Sequence, residues 1–137
     1  MGFQAASGQG TFQEKFKVTW EPGEREAAQK MWNELACTTC HTIGFTNETP
    51  QAPNLHHAKN RLRTSWIEAW LANPTNFVSY TSMPAFWDDG NGNLTSAVEG
   101  VLDNDPKRQI TAMRKWVQEM GSDGYPQPYP KNAPIEK

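Results

Sequence analysis

The sequence predicts a single all-α domain, and three observations lead to that expectation. The chain has 137 residues, which is about the length of one domain. Four segments place apolar residues at helical spacing, and residues typical of helix ends border several of them. Turn residues dominate the linkers, and no internal repeat is present in the sequence. We therefore expect an N-terminal extension at 1–21, a helical domain at 22–121 and a proline-rich tail at 122–137.

Composition and charge exclude several classes of function. Only 36% of the residues are hydrophobic, yet 11% are aromatic and six are tryptophan. A chain poor in aliphatic side chains but rich in indoles often completes its core with a flat cofactor. The net charge of −2 is not typical of a nucleic-acid-binding protein. No apolar run approaches the roughly 18–20 residues that cross a bilayer, so we expect no membrane span.

The first two elements are an extended arm and a helix. Four apolar positions in 1–21 fit a half-buried extended arm better than a helix: Phe12, Phe16, Val18 and Trp20. Pro22 is suited to the first position of a helix, and Glu24 and Glu26 follow where the helix dipole favours negative charge. The helix is expected near 22–36, with an apolar face made of Ala28, Met31, Trp32 and Leu35.

Loops and three further helices follow along the chain. A turn-rich loop spans 42–60, and the next helix has Ser65 and Glu68 at the spacing of a capping box and stops at Asn73-Pro74. The polar run 88–93 is interpreted as a solvated loop, and 94–102 as a short helix. The last helix is capped by Asp105, and its apolar positions are Ile110, Met113, Trp116, Val117 and Met120. Gly121 ends this helix, and the proline-rich tail is expected to be extended.

The two cysteines of the chain belong to the motif Cys37-Thr38-Thr39-Cys40-His41. This spacing is typical of covalent attachment of c-type haem. Two thiols three positions apart reach the two vinyl groups on one edge of a porphyrin, and the next residue directs its imidazole at the iron. We therefore expect one haem c, attached through Cys37 and Cys40, with His41 as its proximal ligand.

Three other interpretations of the motif compete with haem attachment. A thioredoxin-like redox pair requires the cysteines after a strand, whereas a helical pattern precedes them here. A zinc site would combine Cys37, Cys40 and His41 with His56 or His57, although adjacent ligands fit poorly around one tetrahedral ion. The third alternative is a plain disulfide.

A second axial ligand decides whether the iron is open to other molecules. Met83 is the candidate, because Pro84 stiffens the loop that must hold a weak thioether ligand. His56 and His57 are rivals, since imidazole out-competes a thioether for ferric iron, but their loop is expected near the proximal side. The other internal methionines are interpreted as core residues, because they lie on apolar helix faces: Met31, Met113 and Met120.

Over 24–121 the chain resembles the class I family of c-type cytochromes in its small bacterial monohaem form. The resemblance rests on the helix and motif at 28–44, on 52–55, 61–63 and 66–74, and on the methionine-proline turn at 83–86. It implies an all-α fold of three to five helices around one haem. The sequence departs from the family by having alanine for glycine at 28, 36 and 52, which is tolerable if no positive φ is needed there. The stretch 87–105 resembles an insertion.

The resemblance also implies contacts around the haem. The carbonyl of Pro53 would accept the Nδ1 proton of His41 and so fix the imidazole tautomer. Ala28 and Trp32 would meet the helix face that carries Trp116. A buried propionate would be held by an arginine and an indole, for which the candidates are Arg61, Arg63, Trp66 and Trp70.

Two filled axial positions leave outer-sphere transfer of one electron as the expected function, and no enzymatic activity. The expected partners are redox proteins, a donor such as a quinol-oxidising complex and an acceptor such as a terminal oxidase or reductase. We expect a monomer in the periplasm or an equivalent compartment, although no signal-peptide pattern is present in this sequence. Two alternatives remain open: an electron-transferring domain of a larger redox enzyme, and a haem enzyme or gas sensor with a displaceable distal ligand.

Overall fold

The computed structural model describes residues 18–41, 52–55 and 58–120. These ranges contain four α-helices, which are α1 (Glu24–Glu34), α2 (Ala58–Arg61), α3 (Thr64–Ala72) and α4 (Pro106–Glu119). Short 3₁₀ turns occupy Cys37–Thr39, Pro74–Asn76 and Leu102–Asn104. In these ranges the extended pairing is limited to one isolated antiparallel bridge, between Asp88 and Leu94. The expected all-α class is therefore confirmed for the described residues.

Several sequence predictions concern residues outside the described ranges. These are most of the N-terminal arm, the end of the last helix at Gly121, the proline-rich tail, His56 and His57. Of the arm, the described part includes Trp20, which packs against the core. Among the described helices, none has both the length and the apolar character needed to cross a bilayer.

Helix α1 buries the face that its apolar spacing predicts, but it starts two residues later than expected. Ala28, Met31 and Trp32 are buried. The chain turns at Gly23, whose φ of 79° lies in the left-handed region, and the helix begins at Glu24. The Glu24 carboxylate accepts a hydrogen bond of 3.0 Å from the Glu21 amide. The prediction that Pro22 is the first helical residue is therefore wrong, because the Gly23 turn separates it from the helix.

Helix α3 stops where the sequence predicts, but its expected capping box does not form. The helix ends at Ala72, and the Asn73 side chain accepts a hydrogen bond of 3.1 Å from the Thr75 amide. At the other end the N-cap residue is Arg63, so Ser65 already lies inside the helix. Glu68 accepts a hydrogen bond of 2.9 Å from the Arg114 guanidinium on α4. The tertiary ion pair therefore replaces the local cap.

Helix α4 forms the centre of the fold, because α1, α2 and α3 all contact it. Its N-terminus is capped as expected, with the Asp105 carboxylate accepting from the amides of Lys107 and Arg108 at 3.0 and 3.4 Å. The Trp32 and Trp116 rings pack with their centroids 6.5 Å apart, which confirms the expected contact between α1 and α4. The apolar stripe of α4 is buried at Ile110, Met113, Trp116, Val117 and Met120.

The segment predicted as a short helix at 94–102 is not helical. It runs as an irregular loop, with Val98 and Val101 buried, and ends in the 3₁₀ turn Leu102–Asn104. The Gln109 side chain on α4 donates to the carbonyls of Val98 and Val101 at 3.1 and 2.8 Å and accepts from the Ala97 amide at 2.9 Å. The one backbone bond among these residues is the turn contact of 3.4 Å from the Val101 amide to the Val98 carbonyl. The bonds to Gln109 therefore take the place of a helical hydrogen-bond pattern.

Candidate cofactor-attachment site

The cysteine motif forms a compact turn directly after α1. Ala36 adopts the left-handed conformation with φ of 56°, and the chain then enters the 3₁₀ turn Cys37–Thr39. The amides of Cys40 and His41 both donate to the Cys37 carbonyl, at 3.3 and 3.0 Å. The left-handed conformation of Ala36 ends the helical path of the chain, and the next residues turn so that two amides reach the Cys37 carbonyl. Alanine at position 36 therefore adopts the positive φ that a glycine would adopt at lower cost. The condition for a tolerable replacement, that no positive φ is needed, is not met at this position.

The two cysteines have different surroundings. The side chain of Cys37 packs against the edge of the core, whereas Cys40 is exposed. Burial raises the pKa of the Cys37 thiol to about 11, so the thiol is neutral near pH 7. Redox-active cysteine pairs instead depend on a thiolate with a lowered pKa. Cys37 and Cys40 are the two cysteines of the chain, and they form no disulfide in the structure. Neither the thioredoxin-like nor the plain disulfide interpretation is supported.

The imidazole of His41 is oriented by one backbone carbonyl. Its Nδ1 lies 2.7 Å from the Pro53 oxygen, which is the contact expected from the family resemblance. A hydrogen on Nδ1 donates to this carbonyl, so the neutral ring has its lone pair on Nε2. The backbone of the same loop is tied to the motif by a hydrogen bond of 3.1 Å from the Ala52 amide to the Cys40 carbonyl. The arrangement presents Nε2 as a metal ligand.

Met83 is held by an indole. The Trp70 Nε1 donates to the Met83 Sδ at 2.9 Å, and the Met83 amide donates to the Thr81 hydroxyl at 3.2 Å. The thioether is therefore held by one bond from α3, and the Met83 backbone by one bond within its own loop. Sequence reasoning proposed Trp70 as a propionate partner and did not predict this bond to sulfur. The available signal was the placement of Trp70 on the helix that leads into the methionine loop.

The remaining candidate residues lie at the surface of the described structure. Trp66 stacks on Trp70 with ring centroids 5.2 Å apart and planes at 18°. Arg61 and Arg63 are both exposed. Within the described ranges no hydrogen bond or ion pair joins either arginine to His41 or Met83. Their assignment to a propionate stays a prediction.

The site residues form two separate groups that border one core. One group contains the cysteine motif with His41 and Pro53, and the other contains Met83 and Trp70. Cys37 from the first group and Met83 from the second both pack against the same buried cluster. These residues include the kinds of group that a covalently attached haem would use, which are two thiols, an imidazole and a thioether. In the described ranges no three His, Cys, Asp or Glu side chains cluster as metal ligands. The zinc interpretation also required His56 or His57, which lie outside those ranges.

Comparisons with known proteins do not extend this description. No family model matches the chain. No curated protein and no solved structure matches it.

Proposed function

We propose that this protein is a monohaem c-type cytochrome of the class I fold that carries single electrons between redox proteins. The observation that carries the proposal is the hydrogen bond of 2.7 Å between His41 Nδ1 and the Pro53 carbonyl. This bond orients the imidazole of the residue that directly follows the second cysteine. A Cys-x-x-Cys-His sequence that occurred by chance would have no reason to form such a bond. The restrained sulfur of Met83 supports the same proposal independently.

Each residue has a defined role in this proposal. Cys37 and Cys40 form the thioether links, and the raised pKa of Cys37 keeps its sulfur as a neutral thiol before attachment. His41 binds the iron through Nε2, and Pro53 holds the ring in the required tautomer. Met83 would supply the thioether ligand. A bound haem would supply a one-electron couple between ferric and ferrous iron.

The indole of Trp70 adjusts the donor strength of Met83. An N–H that donates to the thioether withdraws electron density from the sulfur lone pairs. A weaker sulfur donor stabilises ferric iron less, so the Trp70 contact raises the reduction potential. The same bond would restrain the sulfur when a haem is bound.

The location and partners follow from this chemistry. Stable thioether attachment suits the periplasm or an equivalent extracytoplasmic compartment. The proposed donor is a quinol-oxidising complex and the proposed acceptor is a terminal oxidase or reductase. The small chain is proposed to act as a monomer.

Haem attachment is tested by expressing the chain in a host that matures c-type cytochromes. We expect a pyridine haemochrome spectrum of the c type and a mass that exceeds the polypeptide by one haem. The variant Cys37→Ala/Cys40→Ala is expected to contain no covalent haem. A colourless wild-type protein with the bare polypeptide mass contradicts the proposal.

Distal ligation is tested with two methionine variants that preserve side-chain volume. Met83→Leu is expected to lower the potential, remove the sulfur-to-iron charge-transfer band and allow carbon monoxide to bind. Met31→Leu is the control, because Met31 is buried on α1. An unchanged spectrum in Met83→Leu removes Met83 from the site. Carbon monoxide binding to the wild-type protein would favour the alternative of an enzyme or gas sensor.

A further inference from the structure

The loop 88–93 contains an asparagine-glycine pair that the fold leaves exposed. Asp88 and Leu94 form the isolated antiparallel bridge that closes this loop. Asn91 and Gly92 are both exposed, and Gly92 has a positive φ of 89°. The side chain of an asparagine that precedes glycine reacts readily with the next backbone amide, because glycine has no Cβ to obstruct the approach. This pair is therefore a candidate for chemical modification of the chain.

The hydrogen bonds of the loop leave the two reacting groups without a partner. The Asp89 Oδ1 accepts from the amides of Asn91 and Asn93 at 2.8 and 3.2 Å. Between these two anchored amides, the Gly92 N–H makes no hydrogen bond within the described structure. The side-chain amide of Asn91 likewise has no hydrogen-bond partner among the described residues. The nitrogen that would attack and the carbonyl carbon that it would attack are therefore adjacent, and no hydrogen bond holds either of them away.

Two other exposed asparagines each lack one of these features. The Asn93 side chain donates to the Asp89 Oδ2 at 3.2 Å, so its amide is already held by a carboxylate. Asn76 is exposed, but the amide of the next residue, Phe77, donates to the Pro74 carbonyl at 3.0 Å. An amide that is engaged in this way must first give up its hydrogen bond before it attacks. The contrast singles out Asn91.

The same loop contains a second reactive pair, Asp89-Gly90, which the structure protects. An aspartate forms the same ring through its neutral acid, because an ionised carboxylate is a poor electrophile. Hydrogen bonds from the Asn91 amide, the Asn93 side chain and the Asn93 amide hold the pKa of Asp89 below its usual value of 3.8. The Gly90 amide is also engaged, since it donates to the Asp88 Oδ2 at 2.8 Å. Asp89 therefore stays ionised near neutral pH and is not expected to react.

We propose that Asn91 is a site of spontaneous deamidation in the folded protein. The Gly92 nitrogen attacks the side-chain carbonyl carbon of Asn91 and forms a C–N bond, and ammonia leaves with the proton of the Gly92 amide. Water then opens the resulting succinimide ring by breaking one of its two C–N bonds to the Gly92 nitrogen, which gives aspartate or isoaspartate at position 91. One water is consumed and one ammonia is released, without an oxidant, a cofactor or an enzyme. This inference does not depend on the proposed function.

The modification changes both the charge and the hydrogen bonds of the loop. It adds one negative charge to a chain whose net charge is −2, beside the carboxylates of Asp88 and Asp89. Isoaspartate also adds a methylene group to the backbone between the two amides that donate to the Asp89 Oδ1. These two hydrogen bonds would no longer keep their present geometry, so we expect the isoaspartate form to lose the turn.

The experiment follows the purified 137-residue protein, from a host that matures c-type cytochromes, during incubation at mildly alkaline pH. Ion exchange separates forms of different charge, peptide mass spectrometry locates the change, and enzymatic methyl labelling detects isoaspartate. We expect an acidic form with one more negative charge and a mass increase of about one dalton confined to the peptide that contains Asn91. Its rate of formation should rise with pH, because the attacking nitrogen must lose a proton. Colourless protein would contradict the proposed function but would leave this measurement unaffected.

Two asparagine variants test the assignment. Asn91→Gln is expected to abolish the acidic form, since ring closure from glutamine needs a larger ring and is slower. Asn76→Gln is the matched control, because it makes the same change at an exposed asparagine whose following amide is bonded. It should form the acidic species at the wild-type rate. Isoaspartate that persists in Asn91→Gln would assign the reaction to Asp89 and overturn the proposal.

The chain unfolded in urea supplies the reference for an unprotected site. Deamidation of Asn91 in urea, with none in the native protein over the same time, would show that the folded loop blocks the attack and would overturn the proposal. Equal modification of Asn91, Asn76 and Asn93 in the native protein would also overturn it, because the hydrogen bonds of the loop would then give no selectivity. Modification of Asn91 ahead of both other asparagines in the native protein is the expected result.

Discussion

Trp70 is the single residue with the most direct effect on the proposed ligand. Its indole is the one group on α3 that donates to Met83 Sδ, among the bonds found in the described structure. Trp70→Phe keeps most of the ring but removes the N–H. A neutral hydrogen bond contributes about 0.5–1.5 kcal/mol, and 1.4 kcal/mol corresponds to about 59 mV for one electron. We therefore expect the potential to fall by up to about 60 mV, measured by spectroelectrochemistry.

The control for this prediction is Trp66→Phe. Trp66 stacks on Trp70, and the contact to sulfur comes from Trp70. The Trp66→Phe variant should therefore keep the wild-type reduction potential. Equal potentials for wild type and Trp70→Phe would contradict the role assigned to the N–H.

Ala36 carries backbone strain at the entrance to the cysteine turn. Its φ of 56° lies in the left-handed region, where a side chain costs about 1–2 kcal/mol and glycine is free of this cost. After allowing for the greater freedom of glycine in the unfolded chain, we expect Ala36→Gly to stabilise the holoprotein by about 0.5–1 kcal/mol. The measurement is the unfolding free energy in guanidinium chloride.

The matched control is Ala28→Gly, which makes the same chemical change but is expected to destabilise the protein. Ala28 is buried in the middle of α1, so glycine there loses packing and helix propensity. The variant should be destabilised by about 1 kcal/mol. If both variants shift stability in the same direction, the strain at Ala36 is not a measurable contribution.

At the scale of elements, the segment 87–104 depends on one side chain of α4. Gln109 is 0% exposed and uses both ends of its amide. Its Oε1 accepts from the Trp87 indole and the Ala97 amide at 3.0 and 2.9 Å. Its Nε2 donates to the Ser96 hydroxyl at 2.9 Å and to the carbonyls of Val98 and Val101. Apart from the Asp88–Leu94 bridge and the turn Leu102–Asn104, the segment is irregular, and the Gln109 side chain connects its middle to α4.

Replacement of Gln109 by leucine is expected to cost about 3 kcal/mol or more, because each buried polar group left without a partner costs about 1–3 kcal/mol. Chemical unfolding measures the loss. Gln118→Leu is the matched control on the same helix, since Gln118 is buried as well but bonds only to the partly exposed Thr64 and Arg114. Its loss should be near 1 kcal/mol. Similar losses of unfolding free energy in the two variants would show that the hydrogen bonds of Gln109 contribute no more to stability than those of Gln118.

These elements also indicate how far the sequence alone leads. Local signals were sufficient for the apolar face of α1, the Asp105 cap and the stop at Asn73. They were insufficient where a distant group decides the outcome. Glu68 bonds to Arg114, 46 positions away, instead of capping α3, and Gln109 draws 94–102 away from a helix. The haem interpretation of Cys37 to His41 rests on local spacing and stays a prediction, whereas the Trp70 contact to Met83 depends on loop geometry that the sequence does not show.

At the scale of the whole molecule, the contact of α1 with α4 combines apolar packing with ion pairs. Lys115 donates to the Glu24 carboxylate at 2.7 Å, with both side chains largely buried, and Arg25 pairs with Glu119 at 3.0 Å. Burial on its own would raise the pKa of Glu24, but the Glu21 amide and the Lys115 ammonium outweigh burial and lower it from 4.5. The N-terminal end of α1 is thus joined to α4 by charge.

This lowered pKa makes the fold sensitive to acid. A carboxyl group whose pKa is lower in the folded state adds stability above its unfolded value, near pH 4.5, and that stability is lost as the pH falls through the folded value. We expect Glu24→Gln to be less stable than wild type at pH 7, and we expect the difference to narrow as the pH falls below 4.5. Unfolding free energies measured across this range test the expectation, with Glu26→Gln as the exposed control. A constant difference between Glu24→Gln and wild type at all pH values contradicts it.

The anchoring of 87–104 by Gln109 has a consequence for how the molecule opens. Because one amide joins the Trp87 indole to Ala97, Val98 and Val101, releasing that amide removes a hydrogen bond from all four residues together. The indole proton of Trp87 and the backbone proton of Ala97 should therefore exchange with deuterium at a common rate, as one cooperative unfolding unit. Since Trp87, Val98 and Val101 are also buried in the cluster that packs on α4, this exchange should require opening of part of the core and be slow.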